Sequence, residues 1–188
     1  MSVYFYGCIS MDGYLADKNH SLDWLNQTGT IEETDYDEFY QRMDITIMGR
    51  RTFREIEKAE NPQAFYPATQ NYVFTHSETF SEPGFIPVSG NVAEFVKELD
   101  KEKNIWIIGG NTILTPLLEA DLVDELILQI APVLLGEGIP LFPPKMSQGS
   151  CQNDQPGHCY LQKEMVKRFQ LRDVKRYGPF AELVYGRE

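Results

Sequence analysis

Short apolar runs alternate with longer amphipathic stretches along the first two-thirds of the chain. The runs are rich in aromatic and β-branched residues and predict strands at 2–10 (SVYFYGCIS), 45–48 (ITIM), 71–75 (NYVFT), 85–88 (FIPV) and 105–108 (IWII). Between them, apolar side chains recur at helical spacing and predict helices over 34–43, 52–60 and 91–102. Another helix is predicted after Gly109-Gly110, with Pro116 expected to disturb its first turns.

The order of these elements predicts the architecture. Strands that alternate with helices are typical of a parallel sheet, whereas the last part of the chain is mostly strand. Residues 122–135 predict a long strand, and a hairpin is predicted around Gly178-Pro179. We therefore expect one α/β domain over 1–188, with a mostly parallel central sheet, flanking helices and an antiparallel C-terminal edge hairpin. The polar residues 147–162 predict a surface insertion.

Length, charge and cysteine content narrow the class of protein. The 188 residues suffice for one domain with a sizeable core. A formal net charge of -11 argues against nucleic acid and anionic membranes as partners. The N-terminus has no basic leader and the cysteines form no disulfide framework, so we expect a cytoplasmic protein. Cys151, His158 and Cys159 do not match the spacing of a zinc site, so we expect no metal.

Polar and glycine-rich segments follow three of the predicted strands. They are Gly49-Arg50-Arg51-Thr52, Thr75-His76-Ser77 and Gly109-Gly110-Asn111-Thr112. Parallel strands end at one edge of a sheet, where such folds bind ligands, and helix starts with nearby arginines favour anions. Solvated surface residues or a tight turn would explain each segment alone, but together they predict a dinucleotide across this edge. The Rossmann and Walker A patterns are absent, so a different dinucleotide fold is required.

The segments IMGRRTFREI, YVFTHS and IWIIGGNTIL, in this order, resemble dihydrofolate reductase. CISMDGYLAD and APVLLGEGIPLFP make the chain more similar to the reductase domain of bifunctional riboflavin-biosynthesis enzymes and their stand-alone relatives. The resemblance implies NADPH as the hydride donor, held by residues 49–52 and 109–112. It places Arg50, Arg51, Thr75, His76 and Ser77 around the 2′-phosphate. It also implies that the turn with Ser10, Asp12 and Gly13 closes over the nicotinamide.

Two carboxylates are candidates for delivering the proton that accompanies a hydride. The resemblance implies an acid on the helix after the flexible loop, where Asp35 lies one turn before Phe39. Charge at the first helical turn would explain Asp35 as well, and turn chemistry would explain Asp12. Asp37 and a bound water stay open as alternatives.

The resemblance implies a substrate class and leaves its members open. We expect reduction of a small pterin- or pyrimidine-like heterocycle, of either the dihydrofolate or the ribosylaminouracil type. The alternative is a non-catalytic NADPH-binding or interaction protein with the same fold. Riboflavin-type relatives are often dimers, and the long strand and the C-terminal hairpin offer surface for a homodimer.

Overall fold

The computed structural model describes residues 1–29, 34–77, 79–143 and 166–188. The predicted insertion at 147–162, with Cys151, His158 and Cys159, lies outside the described residues. The strands are β1 (Ser2–Ser10), β2 (Tyr14–Asp17), β3 (Ile45–Gly49), β4 (Gln70–Phe74), β5 (Phe85–Val88), β6 (Asn104–Gly109), β7 (Glu125–Ala131), β8 (Gly138–Pro140), β9 (Phe169–Tyr177) and β10 (Phe180–Arg187). The α-helices are α1 (Asp23–Asn26), α2 (Tyr36–Tyr40), α3 (Arg50–Glu57), α4 (Val92–Glu98) and α5 (Asn111–Glu119).

Eight of these strands form one sheet in the order β5-β4-β3-β6-β1-β7-β10-β9, and β2 pairs with β8 in a separate two-stranded sheet. The strands from β5 to β7 in that order run parallel to their neighbours. Strand β10 runs antiparallel to both β7 and β9. This confirms the predicted fold: a mostly parallel central sheet with flanking helices and an antiparallel C-terminal edge hairpin.

Apolar side chains pack against both faces of the large sheet. On one face Phe5 and Ile107 belong to the same buried cluster as Leu114 of α5, and all three are 0 % exposed. On the other face Trp106 belongs to a second cluster with Phe53 of α3. Strands buried on both sides have near-continuous apolar sequences, which is why IWII predicts its strand correctly.

Several local expectations differ from the structure. Pro116 lies inside α5, yet the helix continues to Glu119, because Leu114 and Leu117 are fully buried and their packing stabilises it. Strand β7 ends at Ala131, just before Pro132, which has no N–H to donate to a sheet, so the predicted strand over 122–135 is too long. Strands β2 and β8 and helix α1 were not predicted. In the part of the chain that the structure describes, no helix is long and apolar enough to cross a membrane.

Candidate functional site

A cleft of about 780 Å³ lies at the carboxyl ends of the parallel strands. The register of the sheet brings these ends together, because Gly49 pairs with Phe74 of β4 and Met48 pairs with Gly109 of β6. The cleft therefore lies where an open α/β sheet presents its ligand site.

The three polar segments predicted from the sequence meet in this cleft. The predicted residues that line it are Gly49, Arg50, Arg51, Thr52, Thr75, His76, Gly109, Gly110, Asn111 and Thr112. A Cβ atom built on Gly109 or on Gly110 would lie 3.9 Å from the Thr52 hydroxyl oxygen. Gly109 has φ +132°, a backbone conformation that favours glycine. The glycines thus keep backbone open to the cleft where α3 and α5 begin.

The two adjacent arginines have different surroundings. The Arg50 guanidinium donates to both carboxylate oxygens of Glu57, at 3.0 and 3.1 Å. It also lies 5.2 Å from the ring centroids of Phe53 and Phe80. Arg51 is exposed at the cleft, and no ion pair to it is found among the described residues. Arg51 is therefore the arginine whose charge is available to a ligand in this conformation.

Apolar side chains also line the cleft, and sequence reasoning did not assign them to the site. Leu22, Leu25, Ile56 and Tyr66 line the cleft together with the thiol of Cys8. Burial raises the pKa of the Cys8 thiol to about 12, so the thiol stays protonated at neutral pH. These residues come from four separate segments, and only the fold brings them together.

The cleft also reaches the start of α4, which sequence reasoning did not assign to the site. Ser89, Gly90 and Asn91 line it. The Asn91 side chain caps α4 by accepting from the backbone N–H groups of Ala93 and Glu94, at 2.8 and 3.2 Å. The position of these residues after β5, at the same sheet edge, is the signal that would have found them.

Five of the predicted residues do not line the cleft, and Asp35 is one of them. Ser77 is exposed just beyond it, and Ser10, Asp12 and Gly13 form the turn between β1 and β2. The Asp12 carboxylate accepts from the Ser10 hydroxyl and from the backbone N–H groups of Gly136 and Leu135. These hydrogen bonds, the one from Ser10 above all, hold the pKa of Asp12 below its usual range. The structure thus gives Asp12 the turn role that its sequence context also allowed.

Asp35 lies at a second, smaller cleft of about 250 Å³. Its carboxylate accepts from the Tyr177 hydroxyl and from the Lys175 ammonium, 3.1 Å away on β9. Both contacts, Tyr177 first, hold the pKa of Asp35 below its usual range. Asp35 precedes α2 as its N-cap residue but makes no side-chain capping bond. The predicted catalytic carboxylate is therefore in an ion pair at this surface and is not among the residues that line the large cleft.

Tyr6 and Glu182 line the second cleft and belong to a buried polar network. Gln129 donates to the hydroxyl of Tyr6 at 2.7 Å and to the carboxylate of Glu182 at 3.0 Å. Burial raises the pKa of Tyr6, so its hydroxyl stays protonated. Among the described residues no group of three or more His, Cys, Asp or Glu side chains is placed to hold a metal ion.

Comparison with known proteins identifies the family. The sequence profile of the RibD C-terminal domain matches residues 2–179. The chain belongs to this family. The uncharacterized protein YwjB of Bacillus subtilis is 35 % identical over 140 residues, which cover 73 % of this chain and 80 % of YwjB.

Solved structures show the same fold. A putative riboflavin biosynthesis protein from Shewanella sp. PV-4 matches with a TM-score of 0.75 and 24 % identity, covering 100 % of this chain and 99 % of that one. Dihydrofolate reductase from Enterococcus faecalis, in complex with NADP(H) and RAB-propyl, matches with a TM-score of 0.61 and 16 % identity, covering 100 % of this chain and 96 % of that one. At these identities the RibD C-terminal domain and dihydrofolate reductase share a fold with this chain, and its chemistry must be argued from its own site.

Proposed function

We propose that this RibD C-terminal domain protein is an NADPH-dependent reductase of a small pterin- or pyrimidine-like heterocycle. The observation that supports this most is the large cleft, where three separate polar and glycine-rich segments meet and apolar side chains complete the lining. A cleft lined by both polar and apolar side chains suits a dinucleotide and a flat ring. The family and the shared fold support the same activity.

The residues of the cleft fit NADPH. The glycines before α3 and α5 leave backbone N–H groups accessible at two helix starts, which favours a pyrophosphate. Arg51, Thr75 and His76 line the cleft together and offer the charge and donors that a 2′-phosphate requires. When bound, NADPH supplies the hydride, and the protein's residues hold and orient the reactants.

The apolar part of the lining suits the ring of the substrate. Leu22, Leu25, Ile56 and Tyr66 present side chains that can cover a flat heterocycle and exclude water from it. Cys8, which keeps its proton, adds a small, weakly polar group to the lining. The substrate class rests on this shape and on the family.

The proton is best supplied by a bound water. An efficient proton donor has a pKa near the working pH, whereas the pKa values of Asp12 and Asp35 are both lowered. Both carboxylates are ionised at neutral pH and hydrogen-bonded to other groups. A role for Asp12 or Asp35 as the proton donor stays a prediction. In the structure Asp12 stabilises a turn and Asp35 forms an ion pair with Lys175.

The reductase proposal is tested by binding and by turnover. NADPH and NADH are titrated while nicotinamide fluorescence is recorded, and NADPH oxidation is then followed with dihydrofolate and with 5-amino-6-ribosylaminouracil. We expect NADPH to bind more tightly than NADH and one substrate type to be reduced. Equal affinity for the two nucleotides would contradict the 2′-phosphate site, and absence of NADPH binding would contradict the function.

One observation favours the alternative of NADPH binding without catalysis. Neither predicted acid lines the large cleft, and among the described residues Glu55 is the one carboxylate in its lining. The Glu55 carboxylate already accepts from the Lys58 ammonium at 2.6 Å. Tight NADPH binding with no oxidation by any of the heterocycles tested would support this alternative.

We also propose a homodimer formed through the C-terminal hairpin. On β9, Leu171 is 55 % exposed and Val174 is 58 % exposed, and they pair with Tyr185 and Leu183 of β10. Apolar side chains exposed at a sheet edge are a common site of association. Sedimentation of the wild type and of Leu171→Glu tests this: we expect a dimer that the variant dissociates. A wild-type monomer at micromolar concentration would refute it.

A further inference from the structure

Two turns that contribute nothing directly to the cleft lie side by side in the fold. One joins β1 to β2 and contains Asp12, and the other joins β7 to β8 and contains Gly136. The Met11 N–H donates to the Val133 carbonyl at 2.8 Å, and the Leu141 N–H donates to the Gly13 carbonyl at 3.0 Å. The sequence motifs SMDG and LLGEG, far apart in the chain, therefore form one structural unit.

The Asp12 carboxylate is the centre of this unit. It accepts from the Ser10 hydroxyl at 2.6 Å, from the Gly136 N–H at 2.7 Å and from the Leu135 N–H at 3.2 Å. Gly136 has φ +74°, so its turn depends on a conformation that other residues rarely adopt. The Asp12 carboxylate thus accepts from two N–H groups of the β7–β8 turn, which lies more than 120 residues further along the chain.

The unit continues into the cleft through the two-stranded sheet β2–β8. In its register Ala16 pairs with Ile139, and both line the cleft. The Asn111 side chain at the start of α5 donates to the Pro140 carbonyl at 2.8 Å. Strands β2 and β8 are thus one wall of the cleft, with Asp12 at the base of that wall and outside the ligand space.

We propose that Asp12 is a positioning residue that latches the β2–β8 wall against the cleft and so limits the rate at which ligand leaves. The inference rests on the proposed function for the identity of that ligand, NADPH. Asp12 itself touches no ligand in this role. It acts because its carboxylate holds the β7–β8 turn to the β1–β2 turn, and both turns lead directly into the wall.

Two measurements on Asp12→Asn test the latch. Asparagine keeps the shape of the side chain but loses the charge and one acceptor. Hydrogen exchange reports the Leu135 and Gly136 N–H groups directly, and stopped-flow fluorescence separates the association and dissociation rates of NADPH. The matched control is Asp23→Asn, which removes the same charge from an exposed residue that does not line the cleft.

We expect faster exchange at Leu135 and Gly136 in Asp12→Asn, with unchanged exchange in the centre of β1. We expect NADPH dissociation to accelerate on the order of tenfold, as for the loss of charged hydrogen bonds, with little change in association. General destabilisation would instead lower the fraction of protein able to bind and leave the dissociation rate unchanged. Asp23→Asn should match the wild type in both measurements.

The outcomes separate this inference from the proposed function. If the wild type binds NADPH and Asp12→Asn releases it at the same rate, the proposed latch is wrong. Unchanged exchange at Leu135 and Gly136 would overturn it as well, whether or not NADPH binds. Absence of NADPH binding to the wild type would overturn the cofactor assignment, and the exchange measurement would then decide the latch alone.

Discussion

Replacing Arg51 by glutamine should remove most of the preference for NADPH over NADH. Arg51 is exposed at the cleft beside Thr75 and His76, and its charge is not paired within the described residues. The Arg50 guanidinium, next to it in sequence, already donates to Glu57 and lies between two phenyl rings. The structure therefore predicts unequal roles for two residues of the same type.

The expected magnitude follows from the contact that is lost. A hydrogen bond between charged groups contributes about 1.5–3 kcal/mol, and an exposed site lies near the lower end because solvent and salt screen it. NADPH should therefore bind roughly tenfold more weakly to Arg51→Gln. NADH lacks the 2′-phosphate, so its affinity should change by less than about twofold.

Two control variants separate the loss of a direct contact with NADPH from the effect of a changed net charge. Arg54→Gln removes the same charge from the same helix at an exposed position that does not line the cleft, so it measures the long-range effect alone. The double variant Arg50→Gln/Glu57→Gln removes the Arg50 donors without a change in net charge. Fluorescence titrations of NADPH and NADH at two salt concentrations should show a large loss of NADPH affinity only for Arg51→Gln.

Two results would refute this reasoning. Equal weakening of NADPH and NADH by Arg51→Gln would mean that Arg51 does not contact the 2′-phosphate. If the double variant loses as much NADPH affinity as Arg51→Gln, then Arg50 also contacts the phosphate. Its ion pair with Glu57 would then break when NADPH binds.

Three further predictions concern stability and the backbone of the site. Leu114 is 0 % exposed, so Leu114→Ala should lower the free energy of unfolding in urea by about 2–5 kcal/mol. Leu134 is 67 % exposed, so Leu134→Ala should change it little, and equal effects would contradict the core assignment. Gly109→Ala and Gly84→Ala both place a side chain at positive φ and should each cost about 1–3 kcal/mol, but only Gly109→Ala should weaken NADPH binding in the fluorescence titration. Asp35 has a lowered pKa in the folded protein, so its contribution to stability is present above its unfolded pKa and is lost as the pH falls through the folded value. Asp35→Asn should therefore lower the melting temperature at neutral pH and not in strong acid; an equal loss at both would show that the charge is not the cause.

Much of the polar lining of the cleft was predictable from sequence. The apolar runs of β3, β4 and β6 predict parallel strands, and such strands end at one edge of their sheet. Whatever follows each strand must then meet there, as Thr52 and Gly109 do. This inference needs only local pattern and a general rule of topology, and it yields the fold class together with ten of the residues that line the cleft.

Only the tertiary structure decided which side chains are free to act. The Asp12 acceptors are satisfied by a turn 124 residues further along the chain, and Asp35 meets Lys175 from the C-terminal hairpin, 140 residues away. Arg50 and Arg51 are indistinguishable in sequence, but Arg50 alone contacts Phe80 and Glu57. Pairing of a charge depends on neighbours that are distant in sequence, so residue type and spacing identify candidates, and packing determines their roles.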